Sequence, residues 1–254
     1  MKSKLILLIS LLVVAHPAGA ADVVSQAGQT TKSGKEKPSW AFTPDAKLPN
    51  VLILGDSISV GYTLDVRSLL AGRANVFRPI SANGKSAENC SGTTKGVQAI
   101  DRWLAGSKWD VIHFNFGLHD LKHVAKSGDE TATSNMSDPR QASVERYAKN
   151  LEVIVRKLQA TGARPVFATT TPVAPGTISP LREPEVPPLY NAAAVEVMKR
   201  HGIRINDLFA FCSPQLQQWQ QPKNVHFTSD GSRAIAEQVV KVIEEELDVG
   251  KLRK

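Results

Sequence analysis

From Asn50 onward, short apolar runs alternate with longer amphipathic stretches, and this alternation leaves few folds open to the chain. Val51-Leu52-Ile53-Leu54 is apolar throughout, as a strand covered on both faces must be. Residues 57–70 follow with helical spacing, and residues 74–79 form a weaker second strand. After a polar loop comes a helix over 94–105. The clearest strand lies over 110–116, dense in β-branched and aromatic residues. Helical periodicity over 140–161 stops at Gly162, a strand spans 165–170, and a helix spans 188–201. A short strand at 203–205 and a closing helix over 230–247 complete the pattern, with no internal repeat. Strands joined through helices pair in parallel, and their crossovers cover both faces of the sheet. The expected fold is therefore α/β: a three-layer α/β/α sandwich, flavodoxin-like, with a mostly parallel sheet of about five strands.

The segment before this pattern has a different character. Lys2 and Lys4 precede an apolar run over 5–15, and Ala18-Gly19-Ala20 supplies small residues for cleavage. The run is too short to span a bilayer, so residues 1–20 are expected to be a signal peptide and the protein periplasmic or secreted. Residues 21–49 read as a flexible leader and 50–248 as the folded domain, with no membrane span after cleavage. The net charge of +7 is scattered and not interleaved with aromatic residues, which argues against a nucleic-acid partner. An oxidising compartment would permit a bridge between Cys90 and Cys212, but their separation in sequence leaves pairing open. No His/Cys cluster has metal-ligand spacing, and nothing in the sequence speaks to the oligomeric state.

Four polar motifs each lie just after an apolar segment, at or near the carboxyl edge where such sheets bind ligands. Gly55-Asp56-Ser57 follows the first strand and puts a serine at the start of a helix, where it suits a nucleophile or an ordinary N-cap. Val225-His226-Phe227-Thr228 precedes the last helix and offers a base from a loop, though a capping histidine would look the same. Asn89-Cys90-Ser91-Gly92-Thr93-Thr94 and Asn115-Phe116-Gly117-Leu118-His119-Asp120 offer Gly92 and His119 as oxyanion donors. Taken singly, the two read more readily as a turn glycine and a histidine at the core edge. There is no G-x-S-x-G elbow, so the usual α/β-hydrolase arrangement is disfavoured.

In order and spacing these four blocks resemble the SGNH (GDSL-type) hydrolase family over residues 50–245. The resemblance implies an ester hydrolase that needs no metal or other cofactor. Its nucleophile would be Ser57, its base His226, and its oxyanion donors the Ser57 N–H, Gly92 and His119. Two positions depart from the family pattern. His119 stands where the family has asparagine, and its Nδ1 is as many bonds from the backbone as an asparagine side-chain nitrogen. Lys223 stands where the family has its acid, which points to a Ser57–His226 dyad oriented by Asn224 or by a backbone carbonyl.

The run from Phe114 to Leu121 is similar to secreted bacterial members often associated with polysaccharide breakdown. That likeness implies a short acyl group, acetyl foremost, on a carbohydrate, with an acylated small molecule or polysaccharide as the partner. Trp219, in a Gln-rich loop approaching His226, is the candidate substrate contact. Rival readings are a lipase or thioesterase for longer chains and a catalytically inactive saccharide-binding module. His113 alternates with apolar residues and reads as a core side chain.

Overall fold

A computed structural model describes residues 40–176 and 180–252. Five strands form one parallel sheet in the order β2-β1-β3-β4-β5. They are β1 (Asn50–Leu54), β2 (Asn75–Phe77), β3 (Val111–Phe114), β4 (Arg164–Ala168) and β5 (Arg204–Asn206). The longer helices are α1 (Ser57–Leu69), α2 (Thr93–Leu104), α3 (Val144–Ala160), α4 (Pro187–Arg200) and α7 (Ser229–Leu252). Helix α1 packs on α7, whereas α3 packs on both α2 and α4, so helices flank the sheet in two layers. This is the α/β/α sandwich that the alternation of strands and helices implied.

The apolar runs explain the sheet. Val51, Leu52, Ile53 and Leu54 are all buried because β1 is central, paired with β2 on one side and β3 on the other. The chain moves from β1 to β2 at one edge and then crosses back to β3. The β1/β3 boundary is therefore a topological switch point, where the turns after the two strands part and leave a crevice. No described helix is long and apolar enough to cross a membrane.

The structure departs from the sequence reading in two places and settles a question the sequence left open, the state of its cysteines. The expected signal peptide and most of the expected leader lie outside the described residues. Residues 40–49 do not behave as leader, because Phe42 packs on Phe77 at 5.0 Å and Asp45 and Leu48 exchange hydrogen bonds with Asn75. The stretch before His226 holds two short helices, α5 (Leu208–Cys212) and α6 (Leu216–Trp219), too brief to register as periodicity. Asp207 starts the first by accepting the Ala210 N–H at 3.0 Å. Cys90 and Cys212 are unbonded and buried, and burial pushes their thiols up to about 11 and about 12, so they are inert core side chains.

Candidate active site

Ser57 is the first residue of α1, and the turn that presents it is held from two sides. Asp56 caps the helix by accepting the Ile58 N–H at 2.9 Å. Gly55 takes a φ of +156°, and a Cβ there would sit 2.8 Å from Ser59 Oγ and 3.3 Å from the Asn115 carbonyl. Below the turn lies Arg78, buried, just past the end of β2. Its Nη2 donates to the Gly55 carbonyl at 2.7 Å, and its Nη1 donates to Ser59 Oγ at 2.9 Å and Thr63 Oγ1 at 3.0 Å. Sequence reasoning passed over Arg78. A charged residue directly after the apolar pair Val76-Phe77 was the available signal.

His226 Nε2 lies 2.8 Å from Ser57 Oγ. On the other side of the ring, Nδ1 lies 2.7 Å from Asn224 Oδ1, which also accepts the His226 backbone N–H at 3.1 Å. An amide oxygen can only accept, so Asn224 sets the ring with its proton on Nδ1 and its lone pair toward the serine. The Asn224 Nδ2 faces Gln221 Oε1 at 3.4 Å, consistent with that orientation of the amide. No carboxylate makes an ion-pair contact with the ring among the described residues. The neighbouring Lys223 takes a φ of +55°, a left-handed conformation that turns the chain into this loop.

The loop itself is anchored by Gln220. Its Nε2 donates to the Pro172 and Val225 carbonyls at 3.0 and 3.1 Å, and its Oε1 accepts the Ala174 N–H at 2.8 Å. Burial lowers the His226 pKa, opposed by the charge of Asp56 and aided by those of Arg182 and His119.

The Gly92 segment is equally constrained. Ser91 is held at a φ of 58°, with its N–H on Asn89 Oδ1 at 2.8 Å. Asp120 pins the start of α2 by accepting the Thr93 N–H at 2.9 Å together with the Thr93 hydroxyl. Burial nevertheless pushes the Asp120 carboxyl up to about 7, against those two hydrogen bonds. A Cβ on Gly92 would collide with Gln141 Oε1 and approach the Asp120 carboxylate at 3.2 Å, so any side chain there must displace Gln141. Neither the Gly92 N–H nor the Ser57 N–H has an acceptor among the described residues, which leaves both available as donors.

His119 differs from the expectation in one atom. Its Nδ1, expected to serve as the donor replacing asparagine, lies 3.0 Å from Ser91 Oγ and 3.3 Å from Lys122 Nζ. Both partners are tied to Glu130, whose Oε2 accepts from Ser91 at 2.6 Å and from Lys122 at 3.3 Å. Burial works against ionisation of Glu130, but His119 at 3.8 Å, the hydrogen bond from Ser91 and the Lys122 charge hold it far below the usual carboxylate range. The bond count was right, but it could not show that a buried lysine three residues on would occupy that side of the ring. Nε2 is the ring nitrogen left for a substrate.

Trp219 is half-buried on α6, its ring 5.5 Å from that of Phe211, and its carbonyl accepts the Thr228 N–H at 2.7 Å. That backbone bond ties α6 to the His226 segment.

The sequence profile of the GDSL-like Lipase/Acylhydrolase family matches residues 53–234, a span that includes all four blocks. A search of curated proteins finds no match. Among solved structures, a lipase/acylhydrolase from Enterococcus faecalis superposes with a TM-score of 0.61 at 17% identity, covering 78% of this chain and 96% of that one. An acetyl xylan esterase, AlAXEase, gives 0.57 at 16% identity over 76% and 99% of the two chains. A carbohydrate esterase family 3 protein from Talaromyces cellulolyticus gives 0.56 at 16% over 79% and 99%. At such identities the structural likeness speaks for the fold. The profile match over most of the chain shows that this protein belongs to the GDSL-like lipase/acylhydrolase family, and is an ester hydrolase.

Proposed function

We propose that the protein is an exported esterase that removes short acyl groups, acetyl foremost, from carbohydrates through an acyl-serine intermediate. The observation that carries the catalytic part is the line Ser57 Oγ–His226 Nε2–Nδ1–Asn224 Oδ1, at 2.8 and 2.7 Å. In this reading Ser57 Oγ attacks the acyl carbon while His226 Nε2 takes its proton. Charge developing on the carbonyl oxygen is met by the Ser57 and Gly92 N–H groups, with His119 contributing through Nε2. Collapse expels the alcohol, which receives the proton from His226, and water then releases the acid by the same steps in reverse. Asn224 keeps the ring oriented but brings no negative charge to the imidazolium.

One cavity of about 340 Å³ is lined by Ala174, Pro175 and the polar stretch from Ser213 to Gln218. Ala174 in its wall donates at 2.8 Å to Gln220, the residue that anchors the His226 loop. The solved acetyl xylan esterase and the family 3 carbohydrate esterase favour the proposed substrate class by analogy. Export rests on the charged, apolar, small-residue order of residues 1–20.

The test is hydrolysis of 4-nitrophenyl esters of increasing chain length beside acetylated polysaccharides, with labelling by a fluorophosphonate. Turnover should fall from acetate to octanoate, acetate should be released from a polysaccharide, and the label should require Ser57. A chain that resists the label and hydrolyses nothing would instead be an inactive saccharide-binding module.

A further inference from the structure

Two buried arginines approach the catalytic segments, and they use their protons differently. A guanidinium has five N–H groups. Arg78 directs all of its nitrogens at acceptors: Nε at the Glu88 carbonyl, Nη1 at two hydroxyls, and Nη2 at the Gly55 and Glu88 carbonyls. Arg182 is 4% exposed, and its side chain makes two hydrogen bonds among the described residues. Its Nε donates to the Leu118 carbonyl at 2.6 Å and its Nη1 to the Pro180 carbonyl at 3.3 Å. The rest of its fork, including both protons of Nη2, has no acceptor among the described residues.

Arg182 also has no carboxylate within ion-pair distance among those residues. The adjacent Glu183 is taken by Arg140, at 2.8 and 3.1 Å, and by His123 at 3.0 Å. Asp56 opposes its desolvation from farther off, and the pKa still drops to about 10. A cation taken out of water without a partner is costly, and a bound counter-ion would offset that cost.

Its position indicates the source of that counter-ion. The Leu118 carbonyl that anchors Arg182 belongs to the same turn as His119, and the Arg182 charge lowers the pKa of both His226 and Lys122. The guanidinium is thus held on the turn after β3, close enough to the His226 loop for its charge to act there. We infer that Arg182 is a substrate-binding residue that receives a carboxylate carried by the ester, so that the substrates are acyl esters of acidic compounds, such as acetylated uronates. The planar free edge of the fork matches two carboxylate oxygens, which a neutral hydroxyl would not satisfy. This inference rests on the esterase reading above.

Two substrate pairs test it in the full-length protein. One is an acetylated galacturonate oligomer with free carboxylates against its methyl-esterified form. The other is 4-nitrophenyl hydrogen glutarate against 4-nitrophenyl methyl glutarate. The native protein should prefer the carboxylate member of at least one pair by roughly 10- to 100-fold in kcat/KM, the range of a charge-assisted hydrogen bond. Arg182→Gln should remove most of that preference. Should Arg182→Gln not fold, Arg182→Lys keeps the charge without the fork and should still lower the preference. No preference in either pair, or one that survives substitution, overturns the inference while turnover of 4-nitrophenyl acetate leaves the esterase reading standing. Failure to turn over 4-nitrophenyl acetate overturns both.

Discussion

Replacing Asn224 with aspartate changes one atom type at the end of a defined hydrogen bond, which makes its effect calculable. Asn224 Oδ1 lies 2.7 Å from His226 Nδ1, and the ring is half-buried. Placing a negative charge there puts the carboxylate roughly 4 Å from the centre of the imidazolium charge. At an effective dielectric constant near 20 that is worth about 4 kcal/mol, and in bulk water about 1 kcal/mol. A half-buried site falls between these limits, so the pKa of His226 should rise by roughly 1–3 units.

The sign follows from the role of the ring. His226 must be neutral to take the Ser57 proton, and in the native protein burial lowers its pKa below the usual histidine value. The acidic limb of kcat/KM for the native protein should therefore lie below about pH 6.5. In Asn224→Asp it should move up by the same 1–3 units. Above that limb, turnover should equal or exceed the native value, because the imidazolium in the transition state now has a counter-charge. The profile is measured on 4-nitrophenyl acetate, with the His226 ring titrated in parallel by NMR. A limb that stays in place, or moves to lower pH, would refute the assignment of Asn224 Oδ1 as the partner of Nδ1.

Ser57→Ala and His226→Ala should each remove most turnover, and the double variant should lose little more, since the two act as one unit in kcat measurements. Gly92→Ala forces a Cβ against Gln141 and Asp120. Displacement of its N–H should lower kcat on the order of 10²- to 10³-fold, with the thermal midpoint checked to separate misfolding from loss of the donor. Arg78→Met takes the donor from the Glu88 carbonyl, leaves the buried Gly55 carbonyl with only the Cys90 N–H, and should cost about 2–4 kcal/mol in a urea unfolding measurement. An Arg78→Met protein of native stability would show that these carbonyls find other partners.

The sequence by itself determined the layered sheet, because a strand covered on both faces must be apolar along its length, and Val51 to Leu54 is. It also singled out Ser57, Gly92, His119 and His226 through short polar motifs beside apolar segments, and Asn224 through the departure from the family pattern at Lys223. What it lacked was any measure of which atoms meet. The distance from Ser57 to His226 depends on the β1/β3 switch point and on Gln220 clamping a loop far along the chain. The engagement of His119 Nδ1 depends on Lys122 and Glu130, whose charges look like ordinary surface charges until the fold buries the lysine. Arg78 and Arg182 escaped notice for the same reason. An arginine in a sequence is a solvated charge by default, and only tertiary structure decides which ones lose their water and how many of their protons find a partner.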